Sequence, residues 1–357
     1  MQTKKQQKGG CAMPGKRVTM QDIADACGLS RNTVSKAFNG RGAVPAATRA
    51  LILKKAEELG YGFPSAEKAP RSQGEEKTIA LLTCNLPVDY HFGTYFTTAF
   101  TDQISRSGYT LKLFEISREE LRQKKLPPQL IPGQIAGMVG IEMFDADYLD
   151  MLCGLKIPTI MIDSPIETSQ KLMACDFVTM ENANAIVSLT QGLASAGAKS
   201  IGFVGDKNHC GSFNERWGGF VLGLTQAGLP VQEEICILAE DKSPYNDPDW
   251  LIRQLNAMPF LPDAFVCAND YLAIHLMSAL KKKGLSIPRD IMVTGFDGTS
   301  QSALVDPALT TVQIPSLEIG RMAADILLAR IRNPEMPYHW THVKTTPVWR
   351  ESTRGQG

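Results

Sequence analysis

Two kinds of segment are missing from this 357-residue chain. No uninterrupted apolar run approaches the roughly 18 residues of a membrane-spanning helix, which points away from a membrane protein. The opening MQTKKQQKGGCAMPGKRV is basic, but it lacks the apolar core of about 7 to 15 residues that marks a secretory signal, so a cytosolic protein is expected. Closely paired cysteines are missing too. None of Cys11, Cys27, Cys84, Cys153, Cys175, Cys210, Cys236 and Cys267 stands two to four residues from another, which argues against a zinc knuckle or a redox motif. Several lie in apolar runs such as IALLTC and AFVCAND, where cysteine behaves as a small buried hydrophobe, consistent with a reducing compartment. Histidine is scarce, at five residues, and only His339 and His342 in HWTH stand close together. No carboxylate or thiolate cluster adjoins them, so a surface strand is expected there and no metal site. Also absent are a Ser-centred elbow, a GxxxxGK phosphate loop and HExxH, so the chain presents no catalytic constellation and no cofactor is expected.

Net charge is zero, with 37 Lys plus Arg against 37 Asp plus Glu, but the balance conceals an uneven distribution. Residues 1–60 hold eleven basic and four acidic side chains, so a head of +7 is joined to a body of −7. A basic head suggests a polyanionic partner. Between the two lies GFPSAEKAPRSQGEEKT, residues 62–78, where Gly, Pro, Ser and charge replace apolar periodicity, as in a linker. After it, β-like runs alternate with helix-like stretches: TIALLT, YTLKLF, AGMVGIE, PTIMID, SIGFVG, AFVCAND and IMVTGFD. Alternation of this kind signals parallel sheets built from βαβ units, and about 280 residues are too many for one ordinary open sheet. Two facing α/β lobes are therefore expected, with a cleft between them suited to a small molecule.

In the head, VTMQDIADACGLSRNTVSKAFNG opens with Thr19 and Asp22 at capping-box spacing, placing a helix start near Met20. Met20, Ile23, Ala24 and Cys27 recur at helical intervals, Gly28 permits a tight turn, and Ser30 can cap a second helix whose buried stripe is Val34, Ala37 and Phe38. A third helix, from about Pro45 to Leu59, supplies Ile52, Ala56 and Leu59 to close a miniature core. The opposite face of the second helix displays Arg31, Asn32, Ser35 and Lys36. Arg and Lys can donate to guanine O6 and N7, Asn can pair with adenine N6 and N7, and hydroxyls can hold phosphates, so the face suits a DNA major groove.

This stretch, followed by TRALILKKAEELGY, resembles the LacI-type family of bacterial transcriptional regulators. RWGGF, PDAFVCANDYLA, VTGFDG and PALTTVQIP resemble motifs of that family's sensor domain in the same order. The resemblance implies an N-terminal all-α helix-turn-helix head plus a periplasmic-binding-protein-like sensor made of two parallel-sheet α/β lobes. The expected divisions are a basic tail at 1–16, the DNA-binding head at 17–61, the linker at 62–78, the effector-binding and dimerisation body at 79–350, and a tail at 351–357. By resemblance Arg31, Asn32 and Lys36 occupy base-reading positions, while Thr19, Thr33, Ser35, Asn39 and Thr48 match positions that touch the DNA backbone. It also implies that Arg216, Asn269 and Asp297 line the effector cleft. For Asn269 and Asp297 the strand pattern agrees, because each follows the carboxyl end of a strand, where open α/β sheets bind ligands. Asp270, before YLAIHL, reads instead as a helix cap. From the facing lobe, the loop PVDYHFG offers Asp89, Tyr90, His91 and Phe92, and the fourth strand ends at Asp163. An arginine, several carboxylates and aromatic neighbours would suit a sugar or a nucleoside.

The linker departs from the family pattern. Tyr-x-Pro-Asn and a hinge helix carrying a leucine wedge are replaced by YGFPSAEKAPRSQG, in which the leucine position falls on Pro70 or Arg71. Pro70 would disrupt a helix interior by about 3 kcal/mol, so no leucine-bearing hinge helix is expected and Arg71 becomes the minor-groove candidate. The combined reading is a cytosolic, homodimeric regulator, with repression the expected sign, bound to an inverted-repeat operator and controlled by a small molecule. A start at Met13 would leave this reading intact. The competing readings are a solute-binding protein of the same two-lobed fold, against which the basic head and the missing signal argue, and an enzyme, for which no motif was found.

Overall fold

The computed structural model describes residues 19–31, 33–35, 45–59, 77–84, 93–166 and 174–353. They belong to two separate compact units, divided between Gly74 and Glu75.

The first unit is built as the local signals predict. Asp22 N donates to Thr19 Oγ1 at 3.4 Å and Thr19 N donates to Asp22 Oδ2 at 2.7 Å, a reciprocal cap on the helix Met20–Cys27. That helix stops at Gly28, whose φ of 66° lies in the left-handed region where a side chain would be strained. Ser30 Oγ accepts from Thr33 N at 3.1 Å, capping a second helical segment that includes Arg31 and Thr33 to Ser35. A third helix spans Ala46–Glu58. Ile23, Ala24, Val34, Ile52 and Ala56 are fully buried together, with Cys27 and Leu29 packed against them. Leu59 does not join this core as expected: the helix ends at Glu58, Leu59 falls in the following turn, and it is 38% exposed. Ala37 and Phe38 lie outside the described residues, as does the linker up to Glu76. Thr78, assigned to the linker by composition, is already the first residue of strand β1.

The second unit contains two parallel sheets. The larger has the order β10-β5-β4-β3-β1-β2, from β1 (Thr78–Thr83), β2 (Thr110–Glu115), β3 (Ile135–Ile141), β4 (Thr159–Ile162), β5 (Asp176–Met180) and β10 (Trp340–Val343). The smaller has the order β6-β7-β8, from β6 (Ile201–Val204), β7 (Ala264–Cys267) and β8 (Met292–Thr294). A two-stranded antiparallel pair, β9 (Thr311–Gln313) with β11 (Thr346–Val348), adjoins it through bridges at Thr294–Thr310 and Asp297–Gln313. The central strands are buried on both faces, as in the all-buried TIALLT of β1, because helices cover each sheet. Every apolar run singled out in the sequence becomes a strand. HWTH also forms an edge strand, β10, with Trp340 stacked on Phe177.

The chain passes between the lobes three times: after β5, after β9, and between β10 and β11. The second passage delivers the helix Ser316–Arg332 to the first lobe, where Arg330 meets Asp176 through two 3.0 Å hydrogen bonds, both side chains buried. The C-terminal boundary differs from expectation. Residues 351–353 are structural, not a tail: Ser352 is fully buried, its Oγ accepts from Thr310 N at 2.8 Å and donates to Val293 O at 2.6 Å, and its backbone joins β8.

Candidate functional site

In the head, Arg31 is exposed on the second helical segment directly before the turn that buries Val34, so its side chain stands away from the core. Ser35 and Thr48 are half-buried, and Thr33 shares a 2.8 Å hydrogen bond with Ser30. Thr19 is exposed at the start of the first helix, where its hydroxyl is held by Asp22 at 2.7 Å. Asn32, Lys36, Asn39 and Arg71 lie outside the described residues.

In the body, the two lobes enclose a cavity of about 570 Å³, within the usual range of small-molecule sites. Three of its acids come from strand ends of the first lobe: Glu115 closes β2, Glu142 follows β3, and Asp163 follows β4. From the second lobe come Arg216, Asn269, Asp297 and Asp241, with His209, Phe213, Tyr245 and Tyr271. Asp89, Tyr90, His91 and Phe92 lie outside the described residues.

Arg216 is held rigidly inside the helix-packed wall. Its Nε donates to Asn182 Oδ1 at 2.9 Å, its Nη1 donates to the Ala268 carbonyl at 2.7 Å, and its guanidinium lies 3.7 Å over the Phe296 ring. The same Nη1 stands 3.6 Å from Asp297 Oδ1. Burial pushes the Asp297 carboxyl up to about 8; Arg216 opposes that shift, while Asp270, Glu142 and Asp163 reinforce it. Asp297 also carries a φ of 117°, a strained backbone of the kind that clusters at functional positions.

Asn269, not Asp270, caps the helix Asp270–Lys282: its Oδ1 accepts from Leu272 N at 2.9 Å, so this cleft residue also has a structural role. Asp270 is the first helical residue and fully buried. It accepts from the Thr299 amide at 2.8 Å, the Thr299 hydroxyl at 3.0 Å and the Thr311 hydroxyl, and burial raises its carboxyl to about 6.

The lobes touch at the cleft wall. Asp163 Oδ1 accepts from Ser212 N at 3.1 Å, Gly211 N donates to Ser164 O at 2.7 Å, and the rings of Phe144 and His209 meet edge-on at 5.0 Å. A Cβ on Gly211 would lie 2.2 Å from Ser164 Oγ, so the approach depends on glycine. Sequence reasoning placed Arg216, Asn269, Asp297 and Asp163 at this site and missed Glu115 and Glu142, which the strand-end rule applied to β2 and β3 would have found. Phe144, His209, Phe213, Asp241 and Tyr271 carry no local signal.

Comparison with known proteins agrees with both units. Residues 19–62 match the family of bacterial regulatory proteins described as the lacI family, and residues 190–353 match a periplasmic binding protein-like domain. The chain is 27% identical over 343 residues to the HTH-type transcriptional repressor PurR of Actinobacillus pleuropneumoniae serotype 3 (strain JL03), covering 94% of this chain and 98% of that protein. It is 24% identical over 338 residues to the ribose operon repressor of Bacillus subtilis (strain 168), again covering 94% and 98%. Among solved structures, a complex of the transcriptional regulator CelR with cellobiose is similar with a TM-score of 0.69 at 23% identity, covering 94% of this chain and all of that one. The lac repressor dimer bound to operator and the anti-inducer ONPF is similar with a TM-score of 0.68 at 22% identity, covering 95% and 100%. The relatives are repressors, not enzymes, and among the described residues no helix is long and apolar enough to cross a membrane. A lacI-family helix-turn-helix head and a two-lobed body with a periplasmic binding protein-like domain, similar along nearly the whole chain to repressors, make this protein a DNA-binding transcriptional regulator.

Proposed function

We propose that the protein is a cytoplasmic repressor that binds an inverted-repeat operator as a homodimer and changes its affinity when a small polyhydroxylated molecule occupies the cleft between the body's lobes. Arg31, with Asn32 and Lys36, reads base edges; Thr19, Thr33, Ser35, Asn39 and Thr48 hold the phosphates. The observation that carries the effector half is the cavity itself, where a rigid buried guanidinium and a buried carboxyl, Arg216 and Asp297, sit among aromatic rings. Charged groups can satisfy hydroxyls while ring faces pack on the apolar side of a sugar or nucleoside. Effector control follows from the lobe contacts: a ligand shifts DNA affinity as far as it prefers one lobe arrangement over another.

Dimerisation is supported by a second groove on the body, of about 730 Å³, along which Tyr95, Leu304 and Leu317 are exposed. Leu304, 82% exposed, shares this groove with Tyr95 and Leu317, and exposed apolar residues grouped in this way mark protein–protein contacts. Two-fold pairing would present two heads to half-sites about one helical turn apart. The Pro70-bearing linker, without a leucine wedge, favours a smaller operator bend than wedge-inserting regulators produce, with Arg71 entering the minor groove.

Selection of the full-length protein against randomised duplex DNA at one near-physiological salt concentration tests the DNA half. Enrichment of an inverted repeat of roughly 16 to 20 base pairs is expected. Uniform, salt-sensitive binding without an enriched motif would reduce the head to an electrostatic anchor.

A further inference from the structure

We propose that Cys153 and Cys175 form a peroxide-reactive pair, in which Cys153 is oxidised first and Cys175 then closes a disulfide with it. The two are too widely spaced in the sequence to read as a redox motif, and the fold of the first lobe joins them. Cys153 lies in the last turn of the helix Ala146–Gly154 and is half-buried, whereas Cys175 stands directly before β5 and is 2% exposed. Cys175 belongs to a core with Leu149, Leu152 and Phe177, and Cys153 packs against that core. The Cys175 thiol donates a hydrogen bond to the Cys153 sulfur, and the Ala174 amide donates a second. The two sulfurs are therefore already neighbours, as disulfide closure requires.

The same hydrogen bonds assign the roles. The one from Cys175, helped by the Ala174 amide, holds Cys153 below the ordinary value of 9.0 against burial and the charge of Asp150, while Cys175, as the donor, is held far above it. The thiolate is the nucleophile, so Cys153 attacks and Cys175 resolves. In the first step the Cys153 sulfur bonds to one oxygen of hydrogen peroxide, the O–O bond breaks, and the other oxygen leaves as water with the thiol proton. In the second, the Cys175 sulfur bonds to the Cys153 sulfenic acid, the S–O bond breaks, and a second water carries off the Cys175 proton. The pair loses two electrons and the peroxide gains them. The stretch of chain closed by this bond carries β4, Asp163 and Ser164, so oxidation falls on the segment whose Asp163 and Ser164 meet Ser212 and Gly211 of the second lobe. In a reducing compartment such a disulfide is transient, and exchange with a small thiol restores the free pair.

Reduced full-length protein treated with hydrogen peroxide at pH 7, quenched with N-ethylmaleimide at intervals and mapped by non-reducing peptide mass spectrometry tests the pair. A thiol below 9.0 holds at least about a hundred times the thiolate of Cys84 or Cys236, which burial pushes up to about 11. Its weaker basicity gives back about tenfold in nucleophilicity, so Cys153 is expected to be oxidised about tenfold or more faster than either. The product is a Cys153–Cys175 peptide pair that lacks two hydrogens and is restored by dithiothreitol. Cys175→Ser, which keeps a hydroxyl donor, should leave Cys153 as a sulfenic acid trapped by dimedone, and Cys153→Ser should leave Cys175 unoxidised. Oxidation of wild-type Cys153 no faster than that of Cys84 and Cys236 overturns the proposal, as does its conversion to sulfinic acid or its linkage to any cysteine other than Cys175. These wild-type readouts decide the matter even where a variant fails to fold.

Discussion

Asp297 ties the proposed effector site to the stability of the body, and Asp297→Asn measures the connection. The side chain is 13% exposed, lies 3.6 Å from a guanidinium, and yet holds its proton up to about pH 8 because burial and three neighbouring acids outweigh that guanidinium. Its ordinary value is 3.8. Between those limits the unfolded chain has released the proton and the folded chain retains it, so stability falls as pH rises. The contribution is fully present below the unfolded value and is lost through about pH 8, at about 1.4 kcal/mol per pH unit. Asparagine keeps the shape and cannot titrate. From pH 5 to pH 8 the wild type should therefore lose on the order of 4 kcal/mol relative to Asp297→Asn, with Asp270 and the remaining acids common to both proteins. Urea unfolding followed by tryptophan fluorescence reads the body alone, because Trp217, Trp250, Trp340 and Trp349 all lie in it. The midpoint and slope at pH 5, 6.5 and 8 give the comparison. Parallel pH profiles for the two proteins, or a variant that loses stability faster on the alkaline side, would refute the reasoning. The expected divergence would mean that the carboxyl is kept at this position for ligand binding and against folding stability.

Four further outcomes are expected. Arg31→Ala should weaken binding to a selected operator by roughly 1 to 3 kcal/mol and relax preference at one base pair in a competition assay; equal loss on all sequences would make it a phosphate contact. Asp176→Ala strands the buried Arg330 guanidinium and should destabilise the body by about 3 to 5 kcal/mol in urea, while Asp176→Leu with Arg330→Met should recover most of that. Gly211→Ala pushes against Ser164 and should disfavour the observed lobe approach by about 1 to 3 kcal/mol, read as weaker effector affinity, with Ser164→Gly restoring part of it. Leu304→Glu should raise the dimer dissociation constant about tenfold or more in sedimentation equilibrium, and an unchanged constant would place the dimer surface elsewhere.

The head was legible almost residue by residue because its signals are local. Thr19 and Asp22, Gly28, Ser30 and the stripe through Ile23, Val34 and Ile52 each act within a turn or two of helix, and the structure uses all of them. Leu59 failed for the same reason that the others succeeded: periodicity continues the stripe, but the chain leaves the helix at Glu58. In the body, alternating apolar runs identified the strands of the two lobes, yet β5, β9 and β11 were not singled out as strands, since short strands such as DFVTM and TVQ look like ordinary half-apolar sequence. Ser352 was read as tail because nothing in ESTRGQG shows that its hydroxyl completes β8.

By itself, then, the sequence determined the parts of this protein: a capped helix-turn-helix, two sets of parallel strands, and the rule that strand ends such as Asp163 and Asp297 face a cleft. Only the tertiary structure decided which parts meet. The strand order β4-β3-β1-β2 brings Glu115, Glu142 and Asp163 to one edge, and three passages between lobes set that edge opposite Arg216 and Asp297. The pH behaviour of Asp297, the place of His209 between Phe144 and Phe213, and the need for glycine at 211 all arise from groups far apart in the chain. Desolvation and Coulomb interaction depend on distance in space, which a one-dimensional pattern of residues does not contain.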